Sequence, residues 1–388
     1  MRVAVVGGRL QGLEALYLAK KAGWETVLID RKSNIPALNF CDRFFLLNAS
    51  SADGMAAALD GVDLIIPAFE NRPALGQLAA TAAELMVPIA IDLTAYDVSA
   101  SKSISDRLFA ELGVPAPRPW PECAFPMVAK PIGSSGSEGV VRLNDELALR
   151  QFRAQTGAAL EEWVIQEYLE GPSYSIEIIG CRGCYWPLQV TGLEMDDIYD
   201  CKRVLAPSEL NSEQREQFAR ISVQIAQKLG LNGIMDVEVI LNNNRLQVLE
   251  IDARLPSQTP TAVYHSTGIN MLELLADCFI PGRQVGPVAV EERRSVIFEH
   301  IVVSPGRLAV SGEHAVSAAG PLQYCEDFYG ADEALTDYRP GSTNWMATLI
   351  ICAEDQSAVW KKREAVISRI MKEMGLTIYS DPLPQLTC

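Results

Sequence analysis

The stretch Val128-Ala129-Lys130-Pro131-Ile132-Gly133-Ser134-Ser135-Gly136-Ser137-Glu138-Gly139-Val140 carries the most information about the fold. An apolar strand ends on a lysine, a Gly/Ser loop follows, and a second strand begins at Val140. Glycines let successive backbone N–H groups converge on an anion, and serines add hydroxyl donors. The lysine supplies a point charge suited to phosphate. The stretch is not a P-loop, because no Gly-Lys-Ser/Thr step follows and no helix starts there. Taken alone, it reads equally well as a flexible hairpin.

A second cluster lies more than a hundred residues further on. Asp236-Val237-Glu238-Val239-Ile240 and Leu246-Gln247-Val248-Leu249-Glu250-Ile251-Asp252 read as two strands joined by a turn at Asn242-Asn243-Asn244. Glu250 and Asp252 are two apart, so both leave one face of their strand, and Arg254 follows on that face. A suitable register adds Glu238, but the sequence does not fix the register. Three carboxylates on one face repel each other without a cation, and Mg²⁺ shared with phosphate is the natural occupant. A solvated Glu-x-Asp-x-Arg surface ladder is the competing reading.

Upstream, residues 1–92 alternate short apolar strands with helical runs, which predicts a doubly wound parallel sheet, an α/β arrangement. The opening Gly7-Gly8-Arg9-Leu10-Gln11-Gly12 places Arg9 where a dinucleotide fingerprint needs glycine, although Asp30 stands about where a ribose acid would. Residues 93–118 read as largely helical and stop at Gly113-Val114-Pro115-Ala116-Pro117. Residues 119–180 have β character, and helices are expected at Ser212–Leu229, Met271–Ala276 and Ala358–Met374. Gly282–Glu291 reads as a linker.

The 388 residues suffice for two or three domains. A formal net charge of −16 argues against nucleic acid as a partner and suits cationic ligands. No stretch reaches the ~20 apolar residues of a membrane span. Nine cysteines without framework spacing point to free thiols and a cytoplasmic setting. Cys181-Arg182-Gly183-Cys184 reads as a hairpin turn rather than a zinc or redox pair.

These pieces together resemble the ATP-grasp superfamily of carboxylate–amine ligases over most of residues 1–290. The resemblance implies an N-terminal Rossmann-like unit at 1–92, an ATP-grasp unit at 93–290 with a β-rich lid at about 119–180, and a mixed C-terminal unit at 291–388. It implies ATP and Mg²⁺ as cofactors, with Mn²⁺ as a substitute. Lys102 and Lys130 look like the ATP-binding lysines, and the loop carrying Gly136 and Ser137 looks like the phosphate lid. Gln166-Glu167-Tyr168-Leu169 looks like the hinge that reads adenine. Glu238, Glu250 and Asp252 fall on metal positions, with Asp252 where relatives usually carry Asn. Arg254 and Lys202 fall on catalytic positions. Gly171-Pro172-Ser173 departs from the usual Gly-Pro-Glu, so the ribose partner, Glu170 or Ser173, stays open.

The N-terminal glycine turn and Glu250-Ile251-Asp252-Ala253-Arg254-Leu255-Pro256-Ser257-Gln258-Thr259-Pro260 are similar to an archaeal branch of the superfamily that acts in pyrrolysine biosynthesis. That likeness implies small diamino acids as substrates: 3-methyl-D-ornithine or D-ornithine, and L-lysine. Their ammonium groups need carboxylates and their carboxylates need donors. Gln11, Glu70, Arg72, Glu177, Ser257 and Thr259 are the expected substrate contacts, with a homodimer compatible. The rival readings are a D-alanine–D-alanine-type ligase, a purine-pathway carboxylase, a nicotinamide-dependent oxidoreductase and a non-catalytic ATP sensor.

Overall fold

The computed structural model describes residues 1–51, 54–133, 139–286 and 288–384. Near the N-terminus, β1 (Arg2–Val6), β2 (Glu25–Asp30), β3 (Arg43–Leu46) and β4 (Leu64–Pro67) form a parallel sheet in the order β3-β2-β1-β4. The apolar run at 87–91 contributes a single parallel bridge, Ile65 to Ile89. The glycine turn after β1 serves packing. A Cβ on Gly12 would stand 1.9 Å from the Gly7 carbonyl oxygen, so only glycine lets helix Leu10–Lys21 sit this close. Asp30 closes the same turn by accepting the Gly8 N–H at 2.7 Å and the Lys32 N–H at 2.8 Å. Its carboxylate is therefore spent on the backbone rather than offered to a ribose.

Helices Leu93–Ser99 and Lys102–Leu112 lead to a small antiparallel sheet, β5 (Met127–Pro131), β6 (Val141–Leu143) and β7 (Trp163–Glu167), in the order β6-β5-β7. This sheet and helix Glu146–Thr156 enclose their own core of Met127, Ala129, Leu143, Leu149, Phe152 and Ile165.

The remaining strands are β8 (Ser173–Cys181), β9 (Cys184–Met195), β10 (Cys201–Ala206), β11 (Gly233–Asn242), β12 (Arg245–Asp252), β13 (Ser295–Ser304), β14 (Arg307–Val310), β15 (Gln323–Phe328), β16 (Ala331–Thr336), β17 (Trp345–Ala353) and β18 (Ile378–Ser380). They form one sheet, ordered β12-β11-β8-β9-β10-β13-β17-β16-β15, with β14 on β13 and β18 on β14. Two expected boundaries shift as a result. Ser173–Cys181 pairs with β11 and β9 in the large sheet, so the small sheet ends at Glu167 and not near residue 180. The sheet also runs on through residue 291, because β10 pairs directly with β13.

The N-terminal unit is not independent of this sheet. Val3, Val5, Leu13 and Leu16 share one apolar cluster with Ile234, Phe298 and Ile350. Tyr17 adds a polar tie, its hydroxyl lying 2.6 Å from His265 Nε2 and 2.5 Å from Glu333 Oε2.

Candidate active site

The hairpin β11–β12 builds the floor of the site. Its turn places Asn243 at φ +48 and Asn244 at φ +61, the left-handed pair that a two-residue hairpin requires. The turn sets Val239 opposite Val248, and a one-residue irregularity in the ladder at Leu249 then shifts the register so that Glu238 pairs with Glu250 and Asp236 with Asp252. On the other side β8 adds Ser175 opposite Glu238 and Glu177 opposite Asp236. Strand alternation sends Ile176, Ile178, Met235, Val237 and Ile251 into the core beneath helix Ser212–Leu229. The other face collects Ser175, Glu177, Asp236, Glu238, Glu250 and Asp252.

Two clefts meet on this face, and Glu250 and Asp252 line both. The first is walled by Glu70, Tyr96, Lys102, Asp106, Lys130, Gly133 and Gln166. Lys130 is buried at the end of β5, and loss of solvent lowers its pKa against the opposing pull of Glu250. Lys102 opens helix Lys102–Leu112, and its Nζ lies 3.7 Å from Glu250 Oε2. One turn along, burial raises the Asp106 carboxyl to about 6 while both lysines oppose the rise. Gln166 is buried on β7, on the row of the small sheet shared with Val128 and Arg142. Leu169 is buried too. Glu167 donates its N–H to the Arg118 carbonyl at 2.8 Å and its carboxylate holds the Arg118 guanidinium at 3.0 Å. That N–H is thus satisfied within the protein. Tyr168 turns to Tyr199, hydroxyl to hydroxyl at 3.1 Å, with Arg142 stacked over its ring. Gly136 and Ser137 lie outside the described residues.

The second cleft is lined by Ser175, Tyr199, Asp200, Asp236, Glu238, Arg254, Ser257, Gln258, Thr259 and Glu313, among others. Burial raises Glu238 and Asp236 well above the ordinary carboxylate range, with Glu250 and Asp252 respectively as the next largest contributors. Burial also takes Asp252 to about 7, opposed by Arg254. Arg254 Nη2 holds Glu70 at 2.7 Å and Asp252 at 3.1 Å. Burial alone would lower the Arg254 pKa, but these carboxylates outweigh it and raise it. Among the described residues, no three His, Cys, Asp or Glu side chains are gathered tightly enough to hold a metal ion unaided. A hard cation here would need further oxygens, such as those of a phosphate.

Several sequence expectations change. Gln11 reaches the site only through Glu70, donating from Nε2 at 3.1 Å. Arg72 is exposed and bound to Asp97, with Nη2 to Oδ2 at 3.0 Å, so it leaves the cleft. Lys202 is fully buried and lines neither cleft; its Nζ binds Asp381 Oδ1 at 2.6 Å and the Pro382 carbonyl. Cys201 lines the cleft, so strand alternation turns Lys202 away from it, and the ladder irregularity between Cys201 and Arg203 brings Arg203 beside Lys202 on Asp381. Ser257 donates to Glu313 at 2.8 Å, which leaves it poorly placed to receive a substrate carboxylate. The Thr259 hydroxyl is buried and has no hydrogen-bond partner.

The sequence reading missed Asp236, Asp106, Ser175, Gln258, Asp200 and Glu313. Asp236 was within reach, because it stands two residues before Glu238, as Glu250 stands two before Asp252. Glu313 carried no signal, since only the return of the chain after β14 brings it to Ser257 and Gln258.

A lysine-walled cleft from a small β sheet, set over paired acidic strands and an arginine, defines the ATP-grasp class, and residues 100–258 match the ATP-grasp domain family. Solved structures share the fold. The biotin carboxylase domain of Hydrogenobacter thermophilus 2-oxoglutarate carboxylase superposes with TM-score 0.74 at 15% identity, over 95% of this chain and 89% of that one. The L-amino acid ligase from Bacillus licheniformis gives TM-score 0.68 at 16% identity, over 95% and 97%. The chain is 36% identical to the 3-methyl-D-ornithine–L-lysine ligase of Methanosarcina mazei, over 81% of this chain and 82% of the relative. The Methanosarcina barkeri enzyme of that name is 35% identical, over 81% and 84%. The chain belongs to this family of 3-methyl-D-ornithine–L-lysine ligases.

Proposed function

We propose that this protein uses ATP and Mg²⁺ to join (3R)-3-methyl-D-ornithine to the ε-amine of L-lysine through an acyl phosphate, a step of pyrrolysine biosynthesis. The observation that carries the reading is the acidic floor shared by two clefts, with lysines over one and carboxylates lining the other. Lys102 and Lys130 would hold the phosphates, and Gln166 with Leu169 the adenine. Glu238, Glu250 and Asp252 would hold Mg²⁺ together with phosphate oxygens, which suits their burial and mutual repulsion. When bound, the ion neutralises charge on the phosphoryl oxygens.

The donor carboxylate attacks the terminal phosphorus, and ADP leaves. Arg254, between Asp252 and Glu70, stands where the two clefts meet and would steady the acyl phosphate. The neutral ε-amine of lysine then attacks the acyl carbon, and phosphate leaves. The rate should therefore rise with pH until another group titrates. The small sheet, with its own core, is suited to act as a lid that excludes water. Residues 1–92, 93–290 and 291–388 serve as the three working units, although the large sheet crosses the last boundary. Lys202 serves this scheme only indirectly, as an anchor for Asp381. A cytoplasmic setting fits the eight free cysteines among the described residues, and no described helix is long and apolar enough to cross a membrane.

The test is ADP release with ATP, Mg²⁺, L-lysine and D-ornithine or its 3-methyl form, with the product fragmented by mass spectrometry. An amide on the lysine side-chain nitrogen is expected. A link through the α-nitrogen, or phosphate release without amide, would refute the assignment. A requirement for bicarbonate would favour a carboxylase instead.

A further inference from the structure

Lysine brings its ε-amine to the site as an ammonium, which has no lone pair with which to attack. A closed lid also keeps out the water that would otherwise take the proton. The acceptor therefore needs a base inside the cleft. Several carboxylates line the second cleft. Asp236, Glu238, Glu250 and Asp252 crowd its strand floor, where Mg²⁺ and phosphate would sit. Glu313 Oε2 already accepts from the Ser257 hydroxyl at 2.8 Å and from Gln258 Nε2 at 2.7 Å. Asp200 differs from these, because it comes from the turn between β9 and β10.

That turn holds the carboxylate still. Asp196, itself 6% exposed, accepts the Ile198 and Asp200 N–H groups at 3.0 Å each and the Gly312 N–H at 3.1 Å. Tyr199 takes a left-handed φ of +64, uncommon for a bulky residue. Asp200 is 4% exposed. Its Oδ2 accepts the His314 N–H at 2.9 Å and lies 2.8 Å from His314 Nδ1, on helix Glu313–Ser317. Gly312 permits this approach, since a Cβ there would stand 2.0 Å from Asp200 Oδ2. Asp200 Oδ1 is buried and has no hydrogen-bond partner. One oxygen is anchored and the other is left for a ligand that brings a proton, because a buried carboxylate oxygen without a donor is costly. Burial raises the Asp200 pKa, the His314 hydrogen bonds oppose the rise, and Asp196 adds to it. The other ionisable groups that share the cleft with it include Tyr199, Cys201, Glu238, Arg254 and Glu313.

We propose that Asp200 is the base that takes the proton from the acceptor ammonium, and that His314 is the positioning residue that fixes its carboxylate. The N–H bond breaks toward Oδ1, leaving a neutral amine and a protonated Asp200. The amine lone pair then forms the C–N bond, and the bond from the acyl carbon to the phosphate oxygen breaks with its electrons. The next proton on nitrogen leaves with phosphate, and Asp200 returns its own to water when the lid opens. Desolvation disfavours both the carboxylate and the ammonium, so lid closure itself drives the first transfer. The assignment rests on the ligase reading, and the test separates the two.

The experiment compares two acceptors on the full chain with ATP, Mg²⁺ and D-ornithine, with products measured by mass spectrometry. L-Lysine must be deprotonated. Hydroxylamine is uncharged at neutral pH and captures an acyl phosphate as the hydroxamate without a base. Asp200→Asn should lower amide formation roughly 100-fold at pH 7, the scale of general base catalysis, while hydroxamate formation stays within about threefold. Its residual amide rate should climb about tenfold per pH unit toward about pH 10, because only lysine already neutral in solution can react. The intact protein should instead level off once Asp200 has ionised. His314→Ala removes a contact from a side chain that is 55% exposed, and should move that levelling to higher pH, since His314 favours the ionised carboxylate. Unchanged amide formation in Asp200→Asn, or loss of amide and hydroxamate in step, would overturn the base. So would a His314→Ala profile that coincides with that of the intact protein. Neither product from the intact protein would sink the ligase reading and this assignment with it; both products, with amide untouched in the variants, would refute the base alone.

Discussion

Glu177→Gln should make the ligand-free protein more stable, and increasingly so as pH rises. Burial pushes the Glu177 carboxyl to about 7 from an ordinary 4.5. The Thr259 hydroxyl lies close enough to temper the rise but is not aligned to donate. A carboxyl raised on folding binds a proton in the native state that the unfolded chain has released. Its unfavourable contribution therefore starts near pH 4.5 and grows until the folded group ionises near 7. The distance between those values corresponds to roughly 3 kcal/mol. Glutamine keeps the volume and removes the titration. The variant should thus gain under about 1 kcal/mol at pH 5 and up to about 3 kcal/mol at pH 8 relative to the parent. Urea unfolding of both proteins at pH 5, 6, 7 and 8, without substrates, measures the difference directly. A gain that stays flat with pH, or a variant less stable at pH 8, would refute the claim that an uncompensated charge is held there.

Lys130→Ala should weaken ATP binding by at least about tenfold, since it removes a phosphate-facing cation, while the unfolding transition persists; unchanged affinity by calorimetry would remove Lys130 from the nucleotide site. Glu250→Ala should abolish Mg²⁺-dependent ADP release and Glu238→Ala should weaken it strongly, and normal rates at low Mg²⁺ in either variant would exclude the metal assignment. Asp381→Asn should destabilise the protein by roughly 2 kcal/mol at neutral pH. Burial would raise the Asp381 carboxyl, but Arg203 and Lys202 hold it at about 2, below its ordinary 3.8. The parent's advantage is therefore present above 3.8 and fades as pH falls toward 2, so denaturation curves that show no loss at pH 6 would contradict the ion cluster.

The local chemistry was written in the chain. Lys130 before a Gly/Ser loop, and carboxylates two apart at Glu250 and Asp252, declare themselves because strand alternation and loop composition are short-range properties. Helix Ser212–Leu229 begins and ends as its sequence indicates, because Asn211 caps one end and Gly230 the other. The pairing of strands distant in sequence was not legible. That Glu238 faces Glu250 depends on register, and that Glu177 faces Asp236 depends on β8 leaving the small sheet for the large one. Neighbours also decided which charges are free. Arg72 was lost to Asp97, Ser257 to Glu313 and Lys202 to Asp381, partners 25, 56 and 179 residues away. The sequence by itself determined which side chains could bind phosphate, metal and ammonium. Only the tertiary structure decided which of them keep unpaired atoms in the cleft, because an ionic side chain is satisfied by whichever partner the fold brings within reach.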